Sequence, residues 1–451
     1  MKSKATSVGR PAFAAFERGG IKLLRPLPGI RALINWKEKT ILISVSPRKT
    51  ALETARGLLY KALNSHENRF SVFIKGVPFC FMPDAYDHII PPRRDKKTLR
   101  LSICERCRLR RLCPGMRPGS VFLGRAKKLL KAVLEIPNEI VFELNRRCNL
   151  SCAVCSSRSL NTELSLPEIR AHLARIRALG VKNIRFTGGE PFLHPKISEA
   201  LAAAKKLGFY VLVNTNATLL SRGLINQVSP FVDNILVSMQ GCDAQSDAAA
   251  TGVSGLFAKK ISNIRRLRRA GVSVLRLGTV ISRDLLENFE KYLQLAKSLK
   301  ADVWELYRPM RSAGNNTADA AVNTAALRRL AGRLEPQAGE KPLVVFANPV
   351  PFCLFKKSQA PLFLGARFDD GHSRLVLDPK GFYKPSYYIQ KNLGDRPLRA
   401  WDSPFLKKLN GFSYLGGKCR RCFFRLRCLG GSRFMAGLGR GNYLKKDPWL
   451  R

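Results

Sequence analysis

The chain has 451 residues, 45% apolar and 25% charged, which is enough apolar side chain for full cores and excludes a disordered protein. No run of about 18 uninterrupted apolar residues predicts a membrane span, and the polar, basic start lacks an apolar segment of signal-peptide length, so a cytoplasmic protein is expected. Seventy-nine Lys and Arg against 32 Asp and Glu leave a formal charge of +47, which excludes an acidic, salt-adapted surface and favours anionic partners without choosing among nucleic acid, acidic peptide, phosphorylated small molecule and anionic membrane. A source whose proteins are all basic would leave the same imprint.

In chain order, a helix-like stretch over 50–63 and an apolar strand over 70–74 lead into Val77-Pro78-Phe79-Cys80, then Cys104-x2-Cys107-x5-Cys113. A helix-like stretch over 325–334 and a strand over 343–346 lead likewise into Val350-Pro351-Phe352-Cys353, then Cys419-x2-Cys422-x5-Cys428. The recurrence is an internal repeat whose copies flank a central region. In a reducing compartment such groups point to metal or redox chemistry rather than disulfides. Four thiolates from a strand end and a Cys-rich turn suit tetrahedral zinc or a cubane iron-sulfur cluster, and spacing leaves both open.

Between the copies, strands over 139–144, 183–186, 210–213, 234–237, 272–280 and 303–307 alternate with helices over 166–179, 196–207, 221–227, 256–270 and 285–299. Such βα units curl into a parallel barrel or partial barrel with the working residues at the C-terminal strand ends. Cys148-x3-Cys152-x2-Cys155 follows the first strand, and Gly188-Gly189-Glu190-Pro191 follows the second. Three cysteines within eight residues ligate three irons of a cubane and leave the fourth for an exchangeable ligand.

These motifs resemble those of the radical S-adenosylmethionine (SAM) superfamily. The resemblance implies a 4Fe-4S cluster on Cys148, Cys152 and Cys155 whose open iron chelates the amino and carboxylate groups of S-adenosyl-L-methionine. It implies cofactor contacts from Gly188, Gly189, Glu190, Pro191 and Ser238: the glycines admit the cofactor's amino group to the backbone, Glu190 adds an acceptor or holds the turn, and Ser238 ends the fourth strand. Three departures stand out. Thr215-Asn216-Ala217-Thr218 replaces Thr-Asn-Gly, so this turn is expected to need no glycine; Gln240 replaces an acid; Thr251-Gly252 replaces Arg-Gly, which removes a salt bridge to the cofactor carboxylate. His194, alone in a loop, is expected to be solvent-exposed or structural, and Cys242 a buried thiol.

The tail resembles the SPASM and Twitch auxiliary-cluster domains through 377–381, Cys419 to Cys428, and Gly430-Gly431-Ser432-Arg433. Ser386 and Ser432 stand where that pattern has cysteines, so one cluster is expected in the tail, on Cys353, Cys419, Cys422 and Cys428. A second is expected on Cys80, Cys104, Cys107 and Cys113, and a cluster-dependent core favours 4Fe-4S over zinc in both. The expected α/β fold is a partial (β/α)6 radical-SAM barrel over 132–315, flanked by two small cysteine-rich iron-sulfur modules over 1–120 and 325–451.

The activity implied is SAM cleavage to a 5'-deoxyadenosyl radical that abstracts hydrogen from a peptide, protein or other anionic substrate. An electron donor such as a ferredoxin or flavodoxin is a further expected partner. The charge keeps open an enzyme that modifies RNA or a nucleotide-derived cofactor, and Gln240 and Thr251 keep open a non-enzymatic iron-sulfur RNA-binding or scaffold protein. The basic tracts at 93–97, 125–128 and 265–269 read individually as solvated faces.

Overall fold

The computed structural model describes residues 16–18, 21–91, 97–155, 161–310, 322–337, 339–363, 370–438 and 441–450. The chain forms two compact units, Met1–Val133 and Leu134–Arg451. Among the described residues no helix is long and apolar enough to cross a membrane.

The first unit is built on a six-stranded sheet in the order β1 to β6: β1 (Phe16–Arg18), β2 (Ile21–Leu27), β3 (Ile30–Asn35), β4 (Thr40–Val45), β5 (Ser71–Lys75) and β6 (Ile89–Ile90). The first four strands form an antiparallel meander, while β4, β5 and β6 run parallel. Ile41, Ile43 and Val45 alternate inward on β4, as a half-buried strand requires. Helix α1 (Leu52–His66) crosses from β4 to β5 and buries Leu52, Ala55, Leu59 and Leu63, one face at helical spacing. The strand, helix and Cys80 turn match the sequence expectation; the meander is an addition to it.

The second unit carries a nine-stranded sheet in the order β13-β12-β11-β10-β9-β8-β7-β14-β15. Its strands are β7 (Glu139–Glu143), β8 (Asn183–Thr187), β9 (Tyr210–Thr215), β10 (Asn234–Ser238), β11 (Val274–Val280), β12 (Val303–Tyr307), β13 (Leu343–Phe346), β14 (Arg374–Leu377) and β15 (Tyr383–Lys384). All pairings are parallel except β14 with β15. The strands are joined by α2 (Leu166–Ala178), α3 (Ile197–Lys206), α4 (Arg222–Val228), α5 (Ala244–Thr251), α6 (Phe257–Arg269), α7 (Arg283–Glu287) and α8 (Phe289–Ser298), and α9 (Thr324–Leu334) precedes β13. A capping box of Ser165 and Glu168 starts α2, satisfying amide groups that the first turn leaves without partners.

The six expected strands form the centre of this α/β barrel sheet. Residues 325–451 do not separate from it: β13 extends one edge beyond β12, and β14 pairs with β7 at the other. Apolar strand faces bring them there, with Val344, Val345, Phe346, Leu375, Val376 and Leu377 all buried. The basic helix α6 buries Ile261, Ile264 and Leu267, so its arginine tract is the solvated face expected. Of the tract at 93–97 only Lys97 lies within the described residues.

Candidate functional site

A cavity of about 340 Å3 opens at the C-terminal ends of the barrel strands. Cys148, Cys152, Cys155, Gly188, Gly189 and Ser238 all line it; Glu190 and Pro191 do not. Cys148 and Cys155 are exposed and Cys152 half-buried. Burial pushes the Cys152 thiol up to about 11, with Cys155 and Cys148 adding to the shift and Lys260 opposing it. Burial also raises Cys148, helped by Glu190 and Cys155. Thiols gathered this closely resist ionising together until a cation joins them.

Gly188 and Gly189 are required by the cysteine loop itself. A Cβ on Gly188 would stand 2.3 Å from the Asn145 carbonyl oxygen, and one on Gly189 would stand 2.0 Å from that of Arg147. The two loops are laced together as Gly189 N donates to Asn145 O at 3.0 Å and Glu190 N to Arg147 O at 2.7 Å. Only residues without a Cβ permit this approach.

Glu190 holds the turn. Its buried carboxylate accepts from Phe192 N at 3.2 Å, Thr215 Oγ1 at 2.7 Å and Asn216 N at 2.7 Å. Burial nevertheless pushes its carboxyl up to about 7, with the bonds from Asn216, Thr215 and Phe192 pulling the other way. Asn216 in turn donates to Asn149 Oδ1 at 2.9 Å, and Asn149 donates to Thr218 Oγ1 at 2.8 Å. The segment after β9 thus fixes the middle of the cysteine loop. The turn is made without a glycine, but Ala217 lies at φ +60: the conformation is left-handed, and alanine bears its strain.

Helix α5 moors the far side of the loop. Ser151 N donates to Thr251 O at 2.9 Å, and Thr251 Oγ1 donates to Asp247 O at 2.7 Å. Thr251 and Gln240 both line the cavity, and Gln240 Oε1 accepts from Val280 N at 3.0 Å. Ser238 makes no side-chain hydrogen bond to another described residue. His194 is structural: Nδ1 accepts from Lys196 N, so Nε2 carries the proton donated to Leu164 O at 2.7 Å. Cys242 is outside the cavity lining.

Sequence reading missed the charged side chains inside the barrel. Arg185, Arg276, Arg374, Glu305 and Lys260 line the cavity. For Arg185, Arg276 and Glu305 the signal was a lone charge within an apolar strand, in Ile-Arg-Phe, Leu-Arg-Leu and Trp-Glu-Leu, where parallel strands ordinarily bury apolar residues.

Each outer group of four cysteines also converges. Cys80, Cys104, Cys107 and Cys113 line one small cavity. Arg100 crosses it, donating to Arg110 O at 2.9 Å and Cys113 O at 3.2 Å. Burial pushes Cys80 up to about 12, with Cys113, Cys107 and Cys104 adding to the shift. In the other group Cys428 Sγ accepts from Phe352 N at 3.4 Å, burial pushes Cys428 up to about 12 with Cys353 adding to it, and Cys353 is raised by burial and by Cys419 and Cys422. Among the described residues no three His, Cys, Asp or Glu side chains are drawn tightly around a single-ion site. Ser386 accepts from Tyr388 N and Ile389 N, and Ser432 caps the helix Arg433–Gly437, so both serines serve the backbone.

The Radical SAM superfamily model matches residues 142–296, which span β7 through most of α8 and include the cysteine loop. These residues are a radical SAM domain. The chain is therefore an enzyme whose superfamily uses a 4Fe-4S cluster and S-adenosyl-L-methionine. This radical SAM enzyme is 24% identical over 344 residues to the AdoMet-dependent heme synthase of Methanosarcina barkeri, covering 70% of this chain and 97% of the relative. It is 26% identical over 335 residues to the PqqA peptide cyclase of Granulibacter bethesdensis, covering 70% and 88%. Among solved structures, Streptococcus suis SuiB bound to precursor peptide SuiA shares the fold at TM-score 0.59 and 16% identity over 97% of this chain and 100% of the other. Native anSMEcpe with bound AdoMet shares it at TM-score 0.55 and 15% identity over 69% and 94%.

Proposed function

We propose that this radical SAM enzyme functionalises a C–H bond of a peptide or protein, with Cys148, Cys152 and Cys155 as the ligands of its SAM-binding cluster. The observation that carries this reading is a single loop presenting three thiols, and no fourth among the described residues, to a cavity at the strand ends. Thiols are the donors a cubane takes, and the donor set fits a cluster with one corner left open. When bound, the cluster supplies the electron that cleaves S-adenosyl-L-methionine to the hydrogen-abstracting 5'-deoxyadenosyl radical.

The chain's own residues orient and enclose. Gly188 and Gly189 set the loop height, Glu190 and Asn216 lock it, and the Ser238 hydroxyl stands in the cavity wall ready for a cofactor polar group. The arginines flanking the outer cysteines, Arg100 and Arg110 in one group and Arg420, Arg421 and Arg425 in the other, suit two auxiliary 4Fe-4S clusters, because positive charge stabilises an anionic thiolate cluster and raises its potential. A peptide substrate is supported by the named peptide cyclase among the relatives and by the peptide-bound structure whose fold extends over nearly the whole chain.

Anaerobic reconstitution followed by dithionite and S-adenosyl-L-methionine is expected to yield 5'-deoxyadenosine, and Cys152→Ala to abolish it. Turnover that survives in Cys152→Ala would defeat the ligand assignment.

A further inference from the structure

Charge inside a barrel is costly unless it is matched, and here the match is incomplete. Arg185 forks onto Glu139 at 3.0 and 3.1 Å, and Arg374 reaches the same carboxylate at 3.4 Å. Arg276 gives Nη1 to Glu305 at 2.5 Å and Nε to Asn234 at 2.6 Å, and Tyr307 donates its hydroxyl to the other Glu305 oxygen. Lys260 is neutralised by Asp247 at 2.6 Å, both almost fully buried.

The donor left over is identifiable. Among the described residues Arg276 Nη2 has no hydrogen-bond partner, and it is buried from solvent, on a side chain only 11% exposed that lines the same cavity as the cysteine loop. Arg276 stands four residues before the end of β11, about 13 Å down the strand at 3.3 Å per residue. A buried guanidinium nitrogen without an acceptor is destabilising by itself.

From this geometry we infer that the barrel interior receives a substrate carboxylate, held by Arg276 beside Arg185 and Arg374. The planar guanidinium fork suits a carboxylate's two oxygens. The inference rests on the peptide reading and deepens it: the substrate presents an acidic side chain or a free C-terminus to the barrel. The chain's overall positive field steers such an anion inward.

The test is saturation-transfer NMR on the reconstituted, cofactor-loaded protein with three probes: N-acetyl-glutamate α-amide (a side-chain carboxylate), N-acetylglycine (a terminal carboxylate) and N-acetyl-glutamine amide (a neutral control). At least one carboxylate is expected to bind about tenfold or more tightly than the neutral probe, and which one does so identifies the source. That preference falls about tenfold in Arg276→Met and partly in Arg276→Lys, which keeps the charge and loses the fork. Should Arg276→Met fail to fold, the wild type and Arg276→Lys decide. Equal or undetectable binding of all three probes, or a preference undiminished in the folded variants, overturns the carboxylate site. The same wild-type sample is assayed for 5'-deoxyadenosine. Cleavage without carboxylate preference removes only this site, whereas absence of cleavage removes the functional reading beneath it.

Discussion

The two copies of the cysteine repeat use one local plan and two different moorings. In each, a helix with a continuous buried face, α1 or α9, precedes a buried strand and a 3-10 turn that carries the first cysteine, Phe79–Phe81 or Phe352–Leu354. In the first copy the strand is β5 of a separate sheet, and the chain reaches the turn through Gly76 at φ +93, where a Cβ would lie 2.0 Å from Val45 O. In the second the strand is β13 of the barrel sheet, Pro349 occupies the matching position, and Asn348 exchanges two 2.8 Å bonds with the backbone of Arg308. The cysteine-bearing turn is transferable between settings; the residues that fasten it answer to the local backbone.

That contrast can be broken or sharpened by experiment. The largest expected effect is on metal content: the purified enzyme should hold about twelve iron and about twelve acid-labile sulfide. Cys104→Ser with Cys107→Ser, and separately Cys419→Ser with Cys422→Ser, should each remove about four of both. Zinc in place of that iron would make the outer copies structural clips and leave only the central cluster redox-active. Next, Gly76→Pro, which installs the second copy's residue in the first, should cost about 3 kcal/mol or more in urea unfolding, because proline cannot adopt the required φ. A neutral result would mean that glycine and proline serve the approach to the turn equally well. The smallest effect belongs to Asn348→Ala, which strands a buried N–H and carbonyl of Arg308 and should cost about 2 kcal/mol in the same measurement.

Legibility from sequence followed how local each signal is. The central strands were visible as apolar runs and the cysteine loop as a compact spacing, since both are written in adjacent residues. Helix α5 was not seen because Ala244–Thr251 has no large apolar side chain to mark a face. The edge roles of β13 and β14 were not seen because pairing depends on distant partners. The Gly188-Gly189 motif is legible as a cofactor approach, while its fit against the neighbouring cysteine loop is a contact that exists only after folding. The barrel arginines resemble ordinary surface charge in one dimension, and only strand direction turns Arg185 and Arg276 toward the cavity.

The pairing of β14 with β7 bears on how the enzyme is made. Arg374 and Glu139 are 235 residues apart, so at about 5 to 20 residues per second the ribosome takes about 10 to 50 s to deliver the strand that covers β7's outer edge. Throughout that interval an apolar parallel strand offers unsatisfied amides to any passing chain. Guarding that edge, by a chaperone or by slow emergence of the C-terminal segment, is thus part of what producing active protein demands.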